Sequence, residues 1–349
     1  LDSGGTERHL LEIIPHLVSA GYAVSLYTLR PKGLLKTKFE ESGVYVVDGK
    51  LGWIENMIRL SVDIHRNCSI VHFFLPESYL LGSAITMLGG KARRIMSRRS
   101  RNYYQLRRPI SGWVERQLHR SMDLIVGNSY AVVEDLVEEG APRERVRLIY
   151  NGVNLERFVT GYSRESLRQQ TRQRLRLSEH QVVLICVANL FYYKGHEDLL
   201  NAMALLDAAL AKKSILLLVG RNEGSLLQLK EQSSRLGLSG CVRFLGERED
   251  VPDLMAASDI GVLCSHEEGF SNAIIEGMAA SLPYVVTRVG GNSEAVIDGE
   301  SGYVVAPHAP AELKVAISDL ISDTSRRQSM GVAARRRVER YYSIDTCVA

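Results

Sequence analysis

The sequence predicts an α/β protein made of two doubly wound parallel-sheet domains, and three observations carry that prediction. Short continuous apolar runs alternate with amphipathic segments of helical period, the pattern of strands buried on both faces and joined by helical crossovers. The pattern occurs twice along 349 residues, a length that ordinarily divides into two domains. Between the two occurrences lies SRESLRQQTRQRLRL at 163–177, polar, Arg-rich and without strand character, which puts the domain boundary near residues 155–178.

Taken in order, the chain opens on DSGGTERHLLEIIPHL, a glycine turn followed by a helix with apolar Leu10, Leu11, Ile13, Ile14 and Leu17. A doubly wound sheet places its first strand in the interior, so a strand is expected before this turn, and the sequence reads as a fragment lacking it. Loss of an interior strand leaves its neighbours' backbone groups unpaired, at about 1–3 kcal/mol for each buried group. VSLYTL at 24–29, SIVHFFL at 69–75 and MDLIVGNS at 122–129 then read as strands of the first domain. QVVLICVANL at 181–190, KSILLLVG at 213–220, CVRFLGE at 241–247, DIGVLCS at 259–265 and LPYVVT at 282–287 read as strands of the second. The domains are expected at 1–157 and 158–329.

Composition narrows the class. The five cysteines (Cys68, Cys186, Cys241, Cys264, Cys347) are scattered and form no close pair, which indicates neither a disulfide framework nor a zinc site. No apolar run reaches transmembrane length and no amino-terminal signal pattern is present, so a cytoplasmic location is the expectation. The net charge is only +3, but Lys91, Arg93, Arg94, Arg98, Arg99, Arg101, Arg107 and Arg108 fall in one stretch free of acidic residues. That stretch is either a solvated basic face or a site for something anionic, such as a phosphate-bearing substrate or an acidic membrane surface. Tyr103 and Tyr104 lie within it, yet no nucleic-acid-reading motif surrounds them, and nucleic acid is not expected as a partner.

The segment richest in chemistry is HEEGFSNAIIEGMAASLP at 266–283, which follows a buried strand, passes a glycine and becomes helical. Gly269 permits close backbone approach, Ser271 and Asn272 are candidate caps, and free N–H groups at the helix start favour an anion such as a diphosphate, held without a metal. Glu268 and Glu276 bracket this cradle. Carboxylates beside phosphates repel them, so their use is as acceptors from hydroxyls on either side of a diphosphate. No D-x-D pair suited to holding a divalent ion is present.

Glu268, seven intervening residues and Glu276, within EEGFSNAIIEGMA, resemble the E-x7-E signature of the GT4 family of GT-B glycosyltransferases. GGTERHLLEI at 4–13, VRLIYNGVNLERF at 146–158, VANLFYYKGHEDLL at 187–200 and VGGNSEAVIDGESGYVVAP at 289–307 resemble other segments of that family in the same order. The resemblance implies two Rossmann-like domains facing across a cleft, with the carboxyl-terminal helix at 330–349 returning to the first domain. It implies that Glu268 contacts the donor sugar, that Glu276 binds the ribose, and that Lys194 binds the diphosphate and offsets leaving-group charge. Gly269, Phe270, Ser271 and Asn272 complete the donor site, with Gly5 on the donor phosphate and Gly4, Arg98 and Arg99 on the acceptor side. His72 is the candidate catalytic group of the first domain.

By the same resemblance the reaction is a retaining transfer of a sugar from a nucleotide-sugar donor to a glycan, lipid-linked or small-molecule acceptor, in cell-envelope or polysaccharide synthesis. No metal and no cofactor beyond the donor are expected, and a peripheral contact with an anionic membrane is. Two positions depart from the family pattern. Asn189 stands where an arginine commonly forms a second phosphate clamp, leaving Arg221 or Arg248 as replacements. His72 is followed by Phe73 and Phe74, so only the first histidine of an H-x-H pattern is kept. A nicotinamide-dependent oxidoreductase is disfavoured because G-x-G-x-x-G is absent. A non-catalytic GT-B-like binding protein and a nucleotide-sugar epimerase are the alternatives.

Overall fold

A computed structural model of the chain describes residues 4–29, 35–47, 53–66, 68–87 and 91–349. It divides into two compact units, Leu1–Gly152 with Ile344–Ala349 and Val153–Ser343. The opening residues 1–3 of the glycine-turn segment lie outside the described residues. No described helix is long and apolar enough to cross a membrane.

The first unit holds two parallel sheets. β1 (Ser25–Tyr27) pairs with β2 (Tyr45–Val47), and β3 (Ile70–Phe74), β4 (Arg93–Arg98), β5 (Leu124–Gly127) and β6 (Val146–Leu148) pair in sequence order. β3 and β6 are the edges of the four-stranded sheet among the described residues. The basic stretch at 91–108 takes an unexpected form, because its first half is β4, hydrogen-bonded on both sides with Met96, Ser97 and Arg98 buried. The carboxyl end of this strand is thus part of the core, whereas Lys91, Arg93 and Arg108 are exposed.

The second unit is one six-stranded parallel sheet of β7 (Val182–Val187), β8 (Ser214–Val219), β9 (Val242–Gly246), β10 (Ile260–Leu263), β11 (Tyr284–Thr287) and β12 (Gly302–Val305). The order is β12-β11-β10-β7-β8-β9, so the winding reverses between β7 and β10. The apolar runs of the sequence form these strands because helices cover both faces, leaving β8, β10 and β11 buried along their whole length. In such a sheet a ligand binds beyond the carboxyl ends of the strands that flank the reversal.

The unit boundary falls at Gly152/Val153, ahead of the expected 157/158. The polar segment at 163–177 is mostly the helix Gly161–Arg174, whose Arg168 and Arg172 bond to Asp259 at 2.8 and 3.4 Å. Asp259 also accepts from the Val183 N–H at 2.7 Å, so charge ties this helix to the second sheet. At the other end, the helix Thr324–Tyr341 packs on the helix Asn272–Ala279 in the second unit. Only Ile344–Ala349 rejoins the first unit, where the short helix Ile344–Val348 packs on Gly5–Ser19.

Candidate functional site

In the second unit the two strands flanking the reversal send out the loops that carry the predicted donor residues. The loop after β7 reaches Lys194 and turns at Gly195, and the loop after β10 runs through Ser265 to Ser271. Gly195 adopts φ 67°, and a Cβ there would lie 2.0 Å from the Cys264 carbonyl oxygen. Gly290, at φ 48°, sits as closely on the second loop, where a Cβ would lie 1.9 Å from the Glu268 carbonyl oxygen. The Gly291 N–H adds a bond to the Gly269 carbonyl at 2.7 Å. Only glycine meets both the left-handed backbone and the close approach, so these glycines set how tightly the loops draw together.

That closeness brings Lys194 and Glu268 into an ion pair, Nζ to Oε1 at 2.5 Å, with side chains 18% and 10% exposed. Ser265 donates its hydroxyl to the same carboxylate oxygen at 2.8 Å. Burial alone lowers the lysine's pKa, but the attraction of the Glu268 carboxylate and its hydrogen bond outweigh burial, and the net shift is upward. Lys194 is therefore a fixed cation. Glu268 retains a second oxygen, and a carboxylate held this way can accept from a hydroxyl while the ammonium faces an anion.

The helix Asn272–Ala279 begins immediately after this loop. Ser271 occupies its N-cap position in extended conformation, but its hydroxyl makes no capping bond, contrary to the expected capping role. Glu276 lies one turn into the helix, near enough to Tyr284 to raise the pKa of that buried phenol together with desolvation and Cys186. Phe270 is 5% exposed and packs against Tyr342 with ring centroids 5.2 Å apart, so it anchors the loop in the core and offers no stacking face to a ligand. Asn189 uses its side-chain oxygen to hold the Arg221 N–H at 3.1 Å. Arg221 pairs with Glu223 at 2.5 Å and Arg248 with Asp250 at 2.7 Å, so each expected replacement clamp already faces a carboxylate.

In the first unit, Gly4 is the N-cap of the helix Gly5–Ser19, and a Cβ on Gly5 would meet no atom within 4 Å. His72 bonds through Nε2 to Ser97 Oγ at 2.7 Å. Desolvation among the surrounding groups and the Arg99 cation lower its pKa to about 4, although the residue keeps exposed surface. A neutral imidazole follows at neutral pH, able to accept or donate but not to act as a cation. Arg99 donates to Asn151 Oδ1 at 2.6 Å. Burial lowers its pKa to about 10, against the raising influence of Cys347 and Glu7.

The structure gives Arg98 a task other than the expected acceptor contact. Its guanidinium bonds to Glu115 at 2.7 Å and Glu139 at 2.6 Å, all three side chains being 3% exposed. Its charge is consumed inside the fold. A residue not singled out in the sequence, His9, is buried beside Arg99, and desolvation together with that cation lowers its pKa to about 2. Its place on the inner side of an amphipathic helix is ordinary for a core residue, so only the fold reveals its cationic neighbour. Among the described residues one further cluster has metal-ligand character, Asp198, His266 and His308, with one ligand atom from each lying within 4.8 Å of the others.

Solved structures define the class. Residues covering 99% of this chain and 94% of Anabaena Alr3699/HepE, solved in complex with UDP and glucose, superpose with a TM-score of 0.87 at 24% identity. Sucrose-phosphate synthase from Thermosynechococcus elongatus matches over 99% of this chain and 91% of its own, with a TM-score of 0.83 at 20% identity. The fold is the GT-B type with two Rossmann-like domains. The family model described as Glycosyl transferases group 1 matches residues 168–337, and the one described as Glycosyltransferase Family 4 matches residues 3–157. The chain belongs to the group 1 glycosyltransferases of the GT4 type. It is 34% identical to a D-inositol 3-phosphate glycosyltransferase of Corynebacterium diphtheriae over 63% of this chain and 53% of that one. It is 33% identical to one of Salinispora arenicola over 64% and 52%. The chain spans about half the length of these relatives.

Proposed function

We propose that this chain is a retaining, metal-independent glycosyltransferase that moves a sugar from a nucleotide-sugar donor to a glycan, lipid-linked or small-molecule acceptor. The observation that carries the reading is the buried Lys194–Glu268 pair beside the start of the helix Asn272–Ala279, at the reversal point of the second sheet. A sugar leaving a nucleoside diphosphate passes through an oxocarbenium-like state while negative charge grows on the departing phosphate. Lys194 and the first-turn N–H groups oppose that charge. Glu268 accepts from a sugar hydroxyl and Glu276 from the ribose, orienting the anomeric carbon. The acceptor attacks on the leaving-group face and passes its proton to the departing phosphate, which retains configuration.

The complexes of the Anabaena protein with UDP and with UDP-glucose make uridine the first base to test. The relatives' names make D-inositol 3-phosphate the first small-molecule acceptor. The reading places the enzyme in the cytoplasm, with a peripheral contact at the inner membrane face when the acceptor is lipid-linked.

The test is calorimetric titration of the whole chain, and of Glu276→Ala, with UDP, GDP, ADP, CDP and their sugars in the presence of EDTA. One nucleotide is expected to bind despite chelation and to bind at least tenfold more weakly to the variant, about 1.4 kcal/mol. Absence of binding by every nucleotide, or its abolition by EDTA, overturns the reading.

A further inference from the structure

We propose that Asp198, His266 and His308 form a binding site for a borderline divalent cation of the Zn2+ class, separate from the chemistry of sugar transfer. The three residues come from two crossovers of the second unit and the loop after its last strand. Asp198 lies in the first turn of the helix His196–Ala204, His266 in the loop after β10, and His308 in the loop between β12 and the helix Pro310–Ser322. Asp198 Oδ2 is 2.8 Å from His266 Nε2 and 3.8 Å from His308 Nδ1, and the two imidazole centroids are 3.7 Å apart. Metal–ligand bonds of about 2.0–2.2 Å in a tetrahedral site put neighbouring ligand atoms about 3.3–3.6 Å apart. The two observed separations bracket that span and all three atoms lie within 4.8 Å of one another, so an ion is reached when the exposed His308 side chain swings its ring away from that of His266.

The donor set selects the ion. Two imidazole nitrogens and one carboxylate oxygen suit Zn2+ and its transition-metal neighbours, whereas Mg2+ and Ca2+ prefer all-oxygen shells. Three protein ligands leave a fourth position for water. Exposure fits this arrangement, since Asp198 and His266 are 16% and 11% exposed while His308, at 62%, stands at the rim.

The loops that carry these residues also meet the proposed donor residues. His308 adopts φ 57°, a left-handed conformation that favours glycine. In that conformation its imidazole lies against that of His266, ring centroids 3.7 Å apart. The His266 N–H also bonds to the Tyr193 carbonyl at 2.7 Å, next to Lys194, and His266 stands two positions before Glu268. An ion here would staple the two loops that carry the proposed donor residues, while the diphosphate itself is held by Lys194 and N–H groups.

The test begins with protein stripped by EDTA and then freed of the chelator. Zn2+ is titrated against a chromophoric chelator into the wild-type chain, His308→Gly and Asp198→Asn. Glycine relieves the left-handed backbone, and an exposed side chain is lost, so His308→Gly keeps its fold. The wild type is expected to take up one Zn2+ per chain, with at least tenfold weaker binding in each variant and no competition from millimolar Mg2+. Co2+ in place of Zn2+ should give the intense visible absorption of a four-coordinate ion, lost in His308→Gly. Equal affinity in wild type and His308→Gly, or no Zn2+ taken up by the wild type, overturns the proposal. Neither result touches nucleotide binding in EDTA, so this proposal and the donor-site reading fail separately.

Discussion

Replacing Arg98 with methionine removes a cation that two buried carboxylates share, and the structure sets the size of the effect. Glu115 and Glu139 are each 3% exposed and bonded to the guanidinium at 2.7 and 2.6 Å. Breaking a buried pair by deleting one partner costs about 3–5 kcal/mol, because the charge left behind has lost both water and its counterion. The acid titration of Glu139, to which His119 also contributes, points the same way. Burial raises the pKa of Glu139, but hydrogen bonds from His119 and Arg98 and the charge of Arg98 outweigh it and bring it from 4.5 to about 2. That shift is worth about 3 kcal/mol at about 1.36 kcal/mol per unit. Its folded pKa is depressed, so the contribution is complete above about pH 4.5 and fades as pH falls toward 2.

Both tryptophans, Trp53 and Trp113, belong to the first unit, so urea unfolding followed by tryptophan fluorescence reports on that unit. Arg98→Met should lose about 3–5 kcal/mol at pH 7, and its stability should fall less steeply than that of the wild type below pH 4.5. A loss under about 1 kcal/mol with an acid slope equal to the wild type's would refute the buried-network account. Weakened acceptor binding in such a stable variant would restore the acceptor role expected from the sequence.

Gly195→Ala should lower stability by at least about 1–2 kcal/mol from its left-handed backbone alone. The clash with the Cys264 carbonyl should also separate Lys194 from Glu268, so nucleotide titration and a thermal melt should both register the change, and wild-type values in both would count against the loop account. His196 is buried, and desolvation followed by the Lys194 cation lowers its pKa to about 4. Because the unfolded chain protonates first, its contribution is complete above about pH 6.5 and declines by about 3 kcal/mol as pH falls to about 4. His196→Gln should flatten urea-measured stability across that window, and an unchanged slope would show that the ring is solvated. Asp259→Ala deprives the Val183 N–H of its acceptor and Arg168 and Arg172 of their partner. It should lower the urea midpoint of the second unit by the equivalent of about 3 kcal/mol, and a midpoint within error of the wild type's would show that the helix Gly161–Arg174 is held by other contacts.

The sequence by itself determined the α/β class with its parallel sheets in two units, and it marked the residues proposed for the donor site. QVVLICVANL, KSILLLVG, DIGVLCS and LPYVVT were legible as strands because a parallel strand covered on both faces must be apolar along its length. EEGFSNAIIEGMA stood out because a glycine, an acidic residue and a helix start are local features, whereas Lys194 was picked out only by the resemblance to the GT4 family. What lay beyond local pattern was decided by tertiary structure. RRIMSR reads as a basic surface, yet it is an interior strand, because Glu115 and Glu139, 17 and 41 residues from Arg98, neutralise what local sequence leaves charged. Asp198 and His266 are 68 residues apart, and only the winding of the second sheet brings them within 2.8 Å. Hydrophobic period is a property of neighbours in the chain, whereas the partner of a charge is chosen by topology. The place of each continuously apolar strand was therefore written in its own residues, and the task of each buried arginine and histidine in residues far from it.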